Sequence, residues 1–282
     1  MYRYEVLAPA GELNAIVPLI EAGANAIYVG LEGFSSRPQS ADFTMRDIAT
    51  ATQICHEAGI RLHVAINGCI SEKSVNRVYE ALSTLDNIGV DAVIIADWGI
   101  LKNADRYIKK AEIHASTLLG TYNAKTIEYL KKMGVTRVVL STNLFIDEIS
   151  RIINSVPDME YEIVADGGIC FNDNRICELP HTNSSENYTV YCRETYSLLA
   201  DGNTTAARRI AAKQISSAEI VDTYLELGVC SFKIEGRTVN YQYIVPRVKK
   251  LSQALDVASR QDHSISSTLH YISERNRLEE RK

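Results

Sequence analysis

Four of the chain's six cysteines fall toward its C-terminal end, and they are the residues most suited to holding a metal. Six residues separate Cys170 from Cys177, fourteen separate Cys177 from Cys192, and Cys230 follows downstream. Thiolate sulfur suits both zinc and iron-sulfur clusters, and four such ligands complete either kind of centre. The spacing is not that of the paired short CxxC elements of a zinc ribbon, so spacing alone leaves the metal open. The plainer reading makes Cys55, on an expected helix, a small buried apolar residue, and it extends to Cys230 at a helix-to-strand junction. Cys69 reads as an ordinary loop residue.

A second group of residues has acid-base and anion-binding chemistry. Lys233, Glu235 and Arg237 alternate along one expected strand and so share a face. One reading is an internal ion-pair network that rigidifies the fold. The other is a site in which Arg237 and Arg37 hold carboxylates and Glu235 handles protons, with Asp166 a further catalytic candidate. Tyr28, Asn67, Asp97, Ser116 and Asp166 also sit at expected strand ends. Of these, Tyr28 and Asn67, together with Lys233, are the substrate-contacting candidates. Asp97 and Asp166 serve equally well as caps of the following loop or helix. Hydrolytic chemistry finds little support: there is no HExxH and no GxSxG, and His114 and His181 are isolated.

These residues need a frame, and the chain supplies one by alternation. Short β-rich runs at 4–9, 26–31, 61–67, 92–97, 112–117, 137–142, 159–166 and 231–236 alternate with amphipathic runs at 12–23, 44–58, 72–89, 98–110, 121–134, 144–156, 216–228 and 240–259. Gly23, Gly59, Gly89, Gly134 and Gly228 end helical runs just before the next strand, where glycine most easily takes a left-handed cap. Eight βα units without a dinucleotide fingerprint predict a single (β/α)8 TIM-like barrel rather than an open doubly wound sheet. The regular pattern breaks once, in a long cysteine-bearing insertion at 167–215 after the seventh strand, where a barrel places its catalytic face. The barrel is expected over 1–259, and 260–282 reads as a polar tail or terminal helix.

Composition agrees with a globular chain: 46% of the residues are hydrophobic and 23% charged. A formal net charge of −5 argues against nucleic-acid binding over the whole surface and makes a small-molecule substrate a better expectation than RNA. The N-terminus lacks a basic segment leading into a long apolar run, and no stretch reaches membrane-span length, so a cytoplasmic protein without membrane insertion is expected.

Several motifs together resemble the collagenase-like peptidase U32 family. They are LAPAGEL (7–13), GANAIYVG (23–30), Ser36-Arg37, Asp42-Phe43-Thr44, GVDAVIIADWG (89–99), IHAST (113–117), GVTRVVLS (134–141), Cys192-Arg193 with Tyr196, and GVCSFKIEGR (228–237). The resemblance covers nearly the whole barrel and implies one of two activities, since some members are called peptidases and others are similar to oxygen-independent hydroxylation proteins. The latter carry a 4Fe-4S cluster on four cysteines, draw oxygen from prephenate, and act on RNA or in ubiquinone synthesis, where two related members work as a pair. By that resemblance Cys170, Cys177, Cys192 and Cys230 are the implied ligands, prephenate an implied co-substrate, and a second U32 protein an implied partner. The chain departs from the family at Leu118 and Asn143, where polar or charged groups are usual, and at the Asp166-Gly167-Gly168-Ile169 approach to Cys170. A catalytically reduced, cluster-bearing partner subunit is therefore a third reading.

Overall fold

The computed structural model describes residues 4–36, 41–168 and 214–260, with 181–184, 187–190, 195–197, 199–200, 203–204 and 208–209 of the insertion. Eight parallel strands form the frame: β1 (Glu5–Pro9), β2 (Ala26–Leu31), β3 (Arg61–Ile66), β4 (Ala92–Ile95), β5 (Glu112–Ala115), β6 (Arg137–Val139), β7 (Glu160–Gly168) and β8 (Ser231–Ile234). Each pairs with its sequence neighbours, and β1 pairs with both β2 and β8, which closes the sheet into the expected barrel. Around it lie α1 (Ile16–Glu21), α2 (Met45–Glu57), α3 (Val75–Ile88), α4 (Trp98–Ala104), α5 (Ala124–Lys132), α6 (Ile146–Ser155), α7 (Val221–Leu227) and α8 (Tyr241–Arg260).

Local chemistry sets the helix limits. Thr44 and Asp47 form a reciprocal capping box at the start of α2, and the Asp97 carboxylate accepts from the Ile100 amide at 2.9 Å to open α4. Asp97 is thus a cap. Gly89 and Gly228 close α3 and α7 at φ of 90° and 99°, a conformation that disfavours residues with a Cβ.

Several stretches differ from expectation; the run at 98–110, for one, is helical only to Ala104. The run at 12–23 divides into a short 3-10 turn, Leu13–Ala15, and α1. The run at 216–228 becomes helical only at Val221, because the backbone before it is used otherwise. Gln214–Ser216 pairs antiparallel with Asp166–Gly168, and the Ser217 amide donates to the Ala165 carbonyl at 2.8 Å. The insertion therefore returns along the strand from which it left. Between these ends, His181–Ser184 pairs with Asn187–Val190, Thr195–Tyr196 with Arg208–Arg209, and Leu199–Ala200 with Asn203–Thr204, all antiparallel.

Alternation within the strands divides the barrel into two environments. Val6, Ile27, Val64, Val93, Ile113, Val138, Ile163 and Phe232 belong to the large apolar layer between strands and helices. Inside the barrel, Leu7, Ala26, Tyr28, Ala65 and Ile94 form a separate small cluster. The rest of the interior, toward the amino-terminal ends of the strands, is ionic. Arg137 is buried and pairs with Glu5, with Glu160 at 2.7 Å and with Glu162 at 3.7 Å. Lys233 donates to Glu162 at 2.9 Å, Ser231 donates to Glu5 at 2.8 Å, and Arg61 pairs with Glu112 at 2.6 Å and with Glu5 at 3.6 Å. Burial opposes the charge of Arg137, but Glu5 and Glu162 outweigh it and raise the pKa further above the ordinary arginine value.

This floor ties six strands together through ion pairs. Replacing Arg137 with Met should leave Glu5 and Glu162 without their shared cation and cost about 3–5 kcal/mol of unfolding free energy, measurable by urea denaturation. A loss below about 1 kcal/mol would mean that the network is not holding the barrel.

Candidate functional site

The carboxyl-terminal face of the barrel gathers most of the residues that the sequence nominated, and each is already held by a partner. Arg237, just beyond β8, donates to the Asp42 carboxylate at 2.9 Å, to the Ala41 carbonyl at 3.4 Å, and to the Ser35 hydroxyl. The Arg237 and Asp42 side chains are 4% and 1% exposed, so this is an enclosed ion pair. Burial raises the Asp42 pKa, with Arg237 and Ser35 offsetting part of the effect. Asp42 belongs to the two-residue strand Asp42–Phe43, which pairs with the end of β2. Gly30 is required at that contact, because a Cβ there would fall on the Arg237 guanidinium and the Asp42 carboxylate. The carboxylate that Arg237 holds is therefore the protein's own.

Asp166 and Glu235 lie side by side at the ends of β7 and β8. The Glu235 amide donates to the Asp166 carbonyl at 2.7 Å, and the Glu235 carboxylate accepts from the Gly168 amide at 3.0 Å. The Asp166 carboxylate accepts from Arg247 of α8, from Nε at 2.8 Å and also from Nη2. Asp166 is about one fifth exposed, and with Glu235 it gives this rim two carboxyl groups next to the point where the insertion begins. The Asn67 side chain accepts from the Ser36 amide at 3.1 Å and bridges the loops after β2 and β3. The Tyr28 hydroxyl donates to the Ile234 carbonyl at 3.0 Å, and the Lys233 ammonium stands 4.3 Å from the centre of the Tyr28 ring.

The alternation of Lys233, Glu235 and Arg237 does not yield one charged surface. Register shifts between Lys233 and Ile234 where β8 meets β7, and the three side chains take separate partners. Lys233 joins the floor through Glu162, Glu235 joins β7, and Arg237 joins Asp42. The ion-pair reading of this strand holds for Lys233 and Arg237.

The cysteines divide as well. Cys170, Cys177 and Cys192 lie outside the described residues, as do Arg37 and the tail after Arg260. Cys230 precedes β8 at the amino-terminal end of the barrel, where its amide and its thiol both donate to the Tyr161 carbonyl, at 3.0 and 3.4 Å. Tyr161 and Gly168 are seven residues apart along β7, which corresponds to roughly 23 Å of strand. The structure does not bring Cys230 to the face from which the insertion departs. Burial pushes the Cys230 thiol up to about 11, with Arg137 opposing. Cys55 is buried in the helical layer, where burial pushes its thiol up to about 12, and Cys69 is exposed.

The floor holds residues that sequence reasoning passed over, His63 above all. His63 and His114 are fully buried with their rings edge to face at 5.1 Å. Burial is the main cause that lowers both pKa values, with Arg137 adding to it, so both rings are neutral. Burial opposes the charge of Glu162, yet Lys233 and Arg137 hold its carboxyl below its ordinary value. A signal for this layer was present in the sequence, since Arg61 and His63, Glu112 and His114, Glu160 and Glu162, and Ser231 and Lys233 are each two apart in apolar strands.

Comparison with known proteins assigns the chain. The model of peptidase family U32 matches residues 11–281. The chain is 29% identical over 263 residues to the 23S rRNA 5-hydroxycytidine C2501 synthase of Escherichia coli, covering 90% of this chain and 40% of that protein. It is 26% identical to the tRNA hydroxylation protein P1 of Bacillus subtilis, covering 89% and 63%, and 24% identical to a collagenase of Porphyromonas gingivalis, covering 90% and 66%. The chain thus spans less than two thirds of the length of each of these relatives. The solved U32 peptidase Mk0906 superimposes with a TM-score of 0.58 over 84% of this chain and 94% of that one, at 10% identity, and so shares the fold. No helix among the described residues is long and apolar enough to cross a membrane. The barrel, its insertion after β7 and the match over residues 11–281 together make this chain a member of peptidase family U32.

Proposed function

We propose that the chain is a hydroxylation protein of the U32 family, acting without molecular oxygen on a nucleobase of RNA. The observation that carries this reading is its similarity, over about nine tenths of its length, to proteins named for rRNA and tRNA hydroxylation. The reading gives less weight to the net charge that favoured a small-molecule substrate, because overall acidity does not prevent a local RNA-binding surface.

In this reading a 4Fe-4S cluster is held by Cys170, Cys177 and Cys192 of the insertion, and when bound it supplies electrons or an open iron site. Cys230 lies at the opposite end of β7 from the point where the insertion begins. The fourth iron is therefore assigned to a ligand other than Cys230. Asp166 and Glu235 lie on the rim nearest the insertion and are the residues suited to moving protons there. A prephenate-type dicarboxylate as oxygen donor would be held by Arg37, since Arg237 is committed to Asp42.

Peptidase activity is the competing reading, favoured by the similarity to a collagenase. Among the histidines whose side chains are described, His56 pairs with Asp91, while His63 and His114 lie in the floor. None of the three stands at the carboxyl-terminal face as a base for a nucleophile.

The test is a strain from which the gene has been deleted, grown without oxygen, whose rRNA and tRNA are digested to nucleosides and compared by mass with the parent. The expected result is loss of one hydroxylated nucleoside, restored by the wild-type gene and not by Glu235→Gln. Unchanged nucleosides would remove the RNA reading, and cleavage of denatured collagen by the purified chain would replace it with the peptidase one.

A further inference from the structure

We propose that His63, His114 and Glu162 form a second metal site, a buried structural zinc centre in the floor of the barrel that is separate from the cysteines. One ligand atom from each residue lies within 4.8 Å of the others, and all three side chains are fully buried. Three strands on different sides of the barrel supply them, β3, β5 and β7. A tetrahedral zinc with bonds of about 2.0–2.1 Å holds its ligand atoms roughly 3.4 Å apart, so inward rotation by about an ångström closes the site.

The hydrogen bonds point to the same use. His114 Nε2 lies 2.9 Å from Glu112 Oε2, which fixes the proton on Nε2 and leaves the Nδ1 lone pair free. His114 Nδ1 has no hydrogen bond, and neither nitrogen of His63 has one. Three buried imidazole nitrogens without partners are costly in a folded protein and call for an occupant. A carboxylate orienting the far nitrogen of a histidine is the usual outer support of a zinc ligand.

Glu162 suits the role because it is held in place while lone pairs remain. Lys233 donates to its Oε1 at 2.9 Å, the Ser231 hydroxyl is shared between its Oε2 at 3.2 Å and Glu5 at 2.8 Å, and an ionised carboxylate has about four acceptor positions. Glu5 Oε2, 3.7 Å from His63 Nε2, is the nearest further donor. The charges also favour a cation: Glu5, Glu112, Glu160 and Glu162 face Arg61, Arg137 and Lys233, which leaves one negative charge in the floor. Neutral imidazole with carboxylate is a ligand set that zinc accepts, and full enclosure suits a structural rather than a reactive ion.

The experiment refolds the full chain from denaturant with cobalt(II) as a spectroscopic stand-in for zinc, alongside His63→Leu and His114→Leu. His63 makes no hydrogen bond, so its replacement leaves no partner unsatisfied and the variant should fold. In the wild-type chain we expect tetrahedral ligand-field bands that persist when the cysteines are alkylated, and affinity weaker by at least about a hundredfold in either variant. Zinc should raise the thermal midpoint of the wild-type chain and leave that of His63→Leu unchanged, while without metal His63→Leu should be at least as stable as the wild type. Cobalt bands that vanish on alkylation, or that are the same in His63→Leu, would overturn the proposal. So would a zinc-induced rise in midpoint that both variants share.

Discussion

Everything in this barrel is arranged around one guanidinium enclosed by carboxylates. Arg137 extends from a three-residue strand into the interior and meets Glu5 from β1 and both Glu160 and Glu162 from β7. Through Glu5 and Glu162 the network reaches Arg61 on β3 and Lys233 on β8. Charges this deep are tolerated only when paired, and pairing fixes which strands oppose one another across the interior. Apolar packing alone would accept several registers of eight similar strands, whereas these ion pairs accept one.

The same constraint separates the molecule into a closed end and a working end. The amino-terminal end is occupied by the ionic floor, with Cys230 packed behind it against the Tyr161 carbonyl. The carboxyl-terminal end carries the loops, the Asp166 and Glu235 rim, and the departure of the insertion. Lys233 and Tyr28 connect the two levels, one through Glu162 below and the other through the Ile234 carbonyl above. Arg237 does at the rim what Arg137 does at the floor: it holds the loop after β2 against the end of β8. Residues nominated for binding thus turn out to set the shape of the face.

The fold was legible because its signals are local. Runs such as Ala92–Ile95 are too apolar and β-branched for a surface, and the glycines that punctuate the helices act within a few residues. Ser216 was misread for the same reason, since its serine-rich surroundings look like a helix start while its backbone is used by β7. The site was less legible because its partners are distant. Asp42 and Arg237 are 195 residues apart, and Glu162 and Lys233 are 71 apart, so one strand's alternation shows that its charges share a face without showing what they meet. Cys230 is the sharpest case: the order of the cysteines suits one centre, but strand direction carries Cys230 to the other end.

The central proposal is that a metal centre at the carboxyl-terminal end is held by the insertion's cysteines and not by Cys230. Iron and acid-labile sulfide per chain, measured after anaerobic purification of the wild type, Cys177→Ser and Cys230→Ser, test it most directly. The account predicts a brown wild-type protein whose iron and sulfide survive in Cys230→Ser and are lost in Cys177→Ser. A colourless wild-type protein, or loss of the cluster in Cys230→Ser with the barrel still folded, would contradict it.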